Sequence, residues 1–223
     1  DKLLKIEQIN IKGRAVIYKS NIDSWNIEMN NLDNKNMEIG NTNFENLTGC
    51  LTIIDSNFNN IEILANNLFC DDSVNFIRSS GNIRKININS SYSDAIDSDF
   101  SKIKFEKIFV NNAKNDCVDL SYGSYIIKEA FLKNCGDKSI SIGEKSNVDI
   151  RFAEISNSNF GIVSKDESET FLKQGSFLNT KVCLSVYNKK QEFNGAVIRY
   201  KDINCDSKKI FDVQNGSKII KIN

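Results

Sequence analysis

A self-similarity with a period of 22 residues constrains this chain more than any other feature. From Ser93 the sequence divides without gaps into SDAIDSDFSKIKFEKIFVNNAK, NDCVDLSYGSYIIKEAFLKNCG, DKSISIGEKSNVDIRFAEISNS and NFGIVSKDESETFLKQGSFLNT. Two looser lines follow, KVCLSVYNKKQEFNGAVIRYKDINCDS and KKIFDVQNGSKIIKIN. Ile96, Val118, Ile140, Ile162 and Leu184 fall at one phase, and Val74 lies one period before Ile96. CLTIID, Cys50 to Asp55, lies about one period earlier still. Each line holds two or three short segments of apolar and polar alternation separated by Asn, Gly, Ser or Asp. Such segments are too short for helices and too regular for loops. A turn of that length with three short strands is the rung of a right-handed parallel β-helix, whose apolar faces are buried only when rungs stack. The L-x-x-L-x-L-x-x-N pattern of leucine-rich repeats is absent. A sandwich or barrel would not hold one phase over five lines. We therefore expect an all-β, single-stranded solenoid forming one domain over 1–223, with irregular N-terminal turns in 1–48 and regular rungs in 49–223.

Composition agrees with this reading and removes classes of function. The chain has 32 Asn and 31 Ile but no Pro. Ile suits a pleated surface, while Asn tolerates left-handed backbone at corners. Asn side chains stacked on successive rungs, about 4.8 Å apart, would exchange amide hydrogen bonds along the axis. The absence of His excludes histidine-based nucleophile systems, histidine-ligated zinc and a histidine pH switch. Lys and Arg number 29, as do Asp and Glu, so no overall field favours nucleic acid or an anionic membrane. No apolar run reaches the length of a membrane helix. A start at Asp1 suggests a processed form or a fragment of a longer chain, a reading of sequence alone. Cys50, Cys70, Cys117, Cys135, Cys183 and Cys205 lack C-x-x-C pairing, and small buried hydrophobes are the expectation for most of them. Cys117 and Cys183, three rungs apart, are too distant to bridge.

The candidate chemistry is acidic. With Ile96, Val118 and Ile140 facing inward, alternation turns Asp97, Asp119 and Ser141 outward, and Asp99 joins the same side. Asp94, Asp116 and Asp137 recur at the preceding corner. Asp94, Asp97, Asp99, Asp116 and Asp119 thus share one face, with Lys138 the nearest cation. A ladder of like charges binds a cation, raises a pKa or pairs with Lys. It therefore offers a Ca²⁺ site at Asp94, Asp97, Asp116 and Asp119, or catalytic carboxylates acting with Lys138 on a sugar chain. The plainer alternative is that corner Asp residues cap their turns. No cofactor is required on this reading. A second group, Lys165 and Asp166 with Lys189, Lys190 and Glu192 one rung on, offers either an anion contact or a solvated loop that blocks edge pairing. Phe105, Phe131, Phe152 and Phe171 read as core stacking, and Trp25, Tyr122, Tyr125 and Tyr187 as exposed stacking candidates. The ligand-facing set is Asp97, Asp99, Asp119, Tyr122, Lys165, Lys189 and Lys190.

SDAIDSDFS, NDCVDLSYGS, GDKSISIGEKSNVDI, GIVSKDES and SVYNKKQEFNGA occur in an order that resembles the β-helix segments of CotH-kinase-type bacterial surface proteins, over about residues 93–196. Cys117 and Ser139 replace the small Ala or Gly usual there. No kinase region is present, so the resemblance implies an extracytoplasmic β-helical module of undefined activity. A weaker likeness links NDCVDLSYGS and GDKSISIGE to polygalacturonase motifs. Asn115 replaces the first Asp of that family's pair, Lys138 stands where it has His, and its R-I-K is represented at best by Arg199, Tyr200 and Lys201. These departures argue against that hydrolytic mechanism, and the likeness speaks to fold.

The leading expectation is a non-catalytic module at the cell surface, serving as a rigid element or binding surface polysaccharide, without nucleic-acid partners or membrane insertion. Its rivals are a polysaccharide lyase, epimerase or hydrolase using the acidic face, and a filament or tail-fibre-like protein that stacks end to end through its unpaired edges.

Overall fold

The computed structural model describes residues 2–10, 12–32 and 46–223. It is an all-β parallel solenoid of about nine turns, as the periodicity predicts. No helix among the described residues is long and apolar enough to cross a membrane.

Each turn presents one strand to each of three faces. The face that carries the acidic residues, called face A, stacks Ala15–Tyr18, Gly49–Ile54, Asp72–Ile77, Asp94–Asp99 and Val118–Ser121. It continues through the ends of the long strands Ser124–Ile142, Asn147–Lys165 and Glu169–Tyr187 to Lys209–Val213. Register follows the repeat: Leu51, Val74, Ile96, Val118, Ile140, Ile162 and Leu184 form one inward column, every member fully buried. That column continues to Phe211, which lies at the C-terminal end and is 39% exposed.

Of the N-terminal turns expected in 1–48, residues 33–45 lie outside the described residues, and the strands before them stack on the turns above. Lys2–Gln8, Ala15–Tyr18, Asn21–Asp23 and Trp25–Asn31 pair in parallel with the turns above them. The raggedness has a numerical cause. Ala15 pairs with Leu51, a step of 36 residues, whereas Leu51 pairs with Val74, a step of 23. The longer step breaks the sequence phase, while the described strands remain paired in parallel.

Corners are held by ladders of single residue types. Asn67, Asn112, Asn134, Asn157 and Asn179 all adopt positive φ, the conformation Asn tolerates best after Gly. The Asn179 amide donates to Asn157 Oδ1 at 2.8 Å, and the Asn157 amide to Asn134 Oδ1 at 2.9 Å, the exchange expected along the axis. A second ladder, which the sequence reading missed, is built of serine. Ser56 Oγ accepts from Ser20 N, Ser79 Oγ from Ser56 N and Ser101 Oγ from Ser79 N, at 3.0, 3.1 and 3.0 Å. At Gly81, φ is +152° and a Cβ would stand 1.8 Å from Phe58 O, so only glycine fits.

The amide ladder predicts an order of variants at Asn157. Asn157→Gly keeps the left-handed backbone and loses about 0.5–1 kcal/mol of hydrogen bonding, while Asn157→Ala adds about 1 kcal/mol for the positive φ. Urea midpoints check this, and an alanine variant more stable than the glycine variant would contradict it.

The cysteine expectation is corrected. All six are buried or nearly so, but they pair as Cys50–Cys70, Cys117–Cys135 and Cys183–Cys205, with Cα separations of 5.5, 5.4 and 6.4 Å. The Cys117–Cys183 bridge judged too long is indeed not formed. The partners of each bridge lie at the two ends of a single turn, so they occupy different phases of the repeat.

Candidate functional site

The outward side of face A carries Thr52, Asn75, Asp97, Asp119, Ser141, Val163 and Ser185 in one hydrogen-bonded register. Beside it run Asp72, Asp94 and Asp116, the last of these one turn before Lys138. Asp99 and Ser121 form the next outward column. The structure therefore places Asp94, Asp97, Asp99, Asp116 and Asp119 on one face, as the alternation implies. Asp72, one period before Asp94, and Asn75, one period before Asp97, belong to the same array. The 22-residue spacing is the signal that would have found them.

Burial and repulsion shape the chemistry of this array. Asp72 and Asp116 are buried, at 5% and 3% exposure. The Asn75 amide donates toward Asp97 Oδ2 at 2.9 Å, Asp72 Oδ2 at 3.1 Å and Thr48 Oγ1 at 3.0 Å, so two protons serve three acceptors. Burial, followed by repulsion from neighbouring carboxylates, raises Asp94 to about 7 and Asp99 to about 6. Burial also lifts Asp116 to about 6, against the pull of Lys138. Asp72 and Asp97 are raised for the same first reason, desolvation. Lys138 loses solvation too, yet Asp116, at 3.5 Å, and Asp137 hold its ammonium above the ordinary value.

The corner aspartates cap, but not their own turn. Asp94 Oδ1 accepts from the backbone N of Asp116 at 2.8 Å and from the Asn115 amide at 2.7 Å. Asp116 Oδ1 accepts from the backbone N of Lys138 at 2.9 Å. Each caps the turn above it, so the capping alternative holds for Asp94 and Asp116 in an inter-rung form. It does not extend to Asp119, whose Oδ1 is buried without a partner. Asn75 Oδ1, Thr52 Oγ1 and Ser141 Oγ are likewise buried and unpartnered, on side chains 2%, 0% and 0% exposed.

Among the described residues, no three acidic, Cys or His side chains are gathered to hold a metal ion. The four aspartates offered for Ca²⁺ lie on two adjacent turns, one pair per turn.

One edge of the array carries aromatic rings. Phe100 follows Asp99 and Tyr122 follows Ser121, both at positive φ, and their rings stack 4.8 Å apart at 9°. They are 56% and 38% exposed, so the stack presents a free surface. Phe193 meets Tyr122 edge-on at 6.4 Å. Tyr122 is thus exposed, as expected, and Phe100, one period earlier, is the ring partner the sequence reading missed. Tyr125 is a correction. It is 1% exposed and faces the core, its hydroxyl donating to Ser98 O at 2.8 Å and Ser121 O at 3.1 Å. Trp25 is half-buried beneath the Lys2 ammonium, and Tyr187 is half-buried. Phe105 lies in the core, but Phe131 stacks half-buried on Phe109, on the outside of another face, and Phe152 and Phe171 are also only half-buried.

The lysine group does not form a basic patch. Lys165 is 5% exposed, its stem passing beside Gly143. Lys190 is paired with Glu144. Lys189 is exposed, but its backbone N, like that of Lys190, is fastened to Asp166 Oδ1, at 2.6 and 2.9 Å. Asp166 serves as the anchor of the 188–195 loop, which also carries exposed Glu192.

The chain matches no family model, no curated protein and no solved structure.

Proposed function

We propose that this protein is a non-catalytic, rigid carbohydrate-binding element that works outside the cytoplasm, with face A as its binding surface. The observation that carries the reading is the exposed Phe100–Tyr122 stack at the border of a hydrogen-bonding array. Sugar rings bind through an apolar face laid on an aromatic ring and hydroxyls directed to polar side chains, and both elements adjoin here. A stack of parallel turns repeats the same outward groups at a fixed spacing, which suits an extended polymer. Three disulfides in a chain of this size favour an oxidising compartment.

Phe100→Ala with Tyr122→Ala is expected to lower affinity for a bound polysaccharide at least tenfold, with the melting temperature within a few degrees of the parent. Affinity electrophoresis against a panel of neutral, acidic and amine-bearing polymers measures it. Retention of full affinity in the double variant would remove the aromatic pair from the site.

A second reading rests on Asp94, whose acidity near neutral pH, beside a partner nearer 6, suits a general acid. Polymer chain length after incubation, read by light scattering, separates the two. Shortening that disappears in Asp94→Asn would establish an enzyme, while constant length with co-elution supports a binding element.

A further inference from the structure

Resting on the binding role of face A, we infer that its ligand is a polycationic amino-sugar polymer, a glycan whose 2-amino groups are not acetylated. The argument starts from what the face lacks. Its unpartnered buried atoms are Asn75 Oδ1 and Asp119 Oδ1, which only accept, and the hydroxyls of Thr52, Ser141 and Ser185, which accept and donate. Asn75 and Ser141, themselves closed to solvent, flank the half-buried Asp97–Asp119 pair along one column, one turn to either side, so the polar groups a ligand reaches there are the two carboxylates. A carboxylate accepts and does not donate when ionised. The complementary ligand is therefore rich in donors, and a positive charge on it offsets the repulsion that the ladder accumulates.

Geometry narrows the ligand further. The carboxylates lie along the stack and do not gather at a point, which fits several charges on one extended molecule and not a single metal ion. The strand spacing between them is about 4.8 Å, so neighbouring charges on the ligand must be closely repeated. The Phe100–Tyr122 stack beside Asp99 adds an apolar surface, which a sugar ring can occupy and a linear alkyl polyamine would use poorly. An anionic glycan is disfavoured on the same grounds. Of the lysines near this face, Lys165 is buried and Lys138 and Lys190 are paired, which leaves the exposed Lys189 against a row of carboxylates.

The test is isothermal titration of the intact, oxidised protein with three probes of matched length, a glucosamine oligomer, its fully N-acetylated counterpart and an oligogalacturonate, with spermine as a fourth. The glucosamine oligomer is expected to bind at least tenfold more tightly than the N-acetylated one. Raising salt from 20 to 500 mM should narrow that gap. Asp97→Asn with Asp119→Asn should abolish the gap while leaving any binding of the N-acetylated oligomer within threefold. Phe100→Ala with Tyr122→Ala should weaken both oligomers. Circular dichroism and melting temperature confirm that each variant folds. Equal or tighter binding of the N-acetylated oligomer or the oligogalacturonate overturns the charge inference and leaves the carbohydrate role standing. Spermine binding as tightly as the glucosamine oligomer, insensitive to the aromatic variant, overturns the sugar component. Binding of no glycan overturns both readings together.

Discussion

Reduction of the three disulfides is expected to lower the stability of this protein more than any single side-chain change. The bridged cysteines are 20, 18 and 22 residues apart, and closing a loop of that size in the unfolded chain is worth about 3 kcal/mol per bridge in the chain-entropy account. A domain of ordinary stability holds only about 5–15 kcal/mol in total, so loss of all three threatens the fold. The neighbouring turns show what a turn does without a bridge. Ser73 and Ser91 sit one residue before Val74 and one register step from Leu68, and their hydroxyls meet at 2.7 Å. Ser139 and Ser158, adjoining Cys117 and Cys135 on the next turn, meet at 2.9 Å. The same junction between the end of one turn and the start of face A is thus closed by a covalent bond in one turn and by a hydroxyl pair in the next. Cys117→Ser with Cys135→Ser should therefore fold, with a loss of about 2–3 kcal/mol, because the hydrogen bond replaces part of the packing but not the constraint on the unfolded chain. The converse substitution, Ser73→Cys with Ser91→Cys, should oxidise spontaneously and raise the urea midpoint. Identical midpoints for oxidised and reduced protein would show that the bridges contribute nothing to stability.

The cysteine pairing was hidden from the sequence for a definite reason. A periodicity search aligns residues that occupy the same place on successive turns, and so it found the inward column from Val74 to Leu184 and the outward column through Asp97 and Asp119. A bridge within one turn joins two places that never align, and spacings of 18 to 22 residues blur into the period itself. The serine ladder escaped notice because Ser56, Ser79 and Ser101 lie at corners, where no apolar phase marks them. Tyr125, an exposed stacking candidate by sequence, is buried in the structure. Its register partner Ile103 points inward, and the core supplies backbone acceptors for the hydroxyl. The acidic face was legible as a direction of side chains. What the sequence did not disclose was that Asn75, uncharged and unremarked, lies between Asp72 and Asp97 and shares one amide between them.

That acidic face makes stability fall as pH rises from about 4 to about 7, the reverse of ordinary acid denaturation. Asp94, at about 7, and Asp99 and Asp116, at about 6, bind protons in the folded state that the unfolded chain releases near 3.9. Between those values the native state carries more protons than the unfolded one, so the slope of unfolding free energy with pH is negative. The stabilisation is complete below about 4 and is lost as pH passes through 6 and 7. Groups of the opposite kind set the acid limit. Asp55 is held low by its hydrogen bond to Arg78, and Glu144, despite its burial, by Lys190 and Ser121, so their contributions disappear on acidification. A shift of one pKa unit corresponds to about 1.4 kcal/mol, and screening with coupling among neighbours reduces the summed effect to on the order of 2–4 kcal/mol. Asp94→Asn preserves an oxygen to accept from Asp116 N while removing the charge. It should raise stability at pH 7.5 by about 1–2 kcal/mol and flatten the slope. Chemical denaturation at half-unit pH steps measures both. A parent protein with no slope between pH 4 and 7 would mean that Asn75 and Lys138 already neutralise the ladder in the free state. The slope also connects stability to binding, because an ammonium placed beside Asp97 and Asp99 favours their ionised forms. The glucosamine oligomer should therefore restore at pH 7 the stability that the free protein has near pH 4, and its N-acetylated counterpart should restore much less.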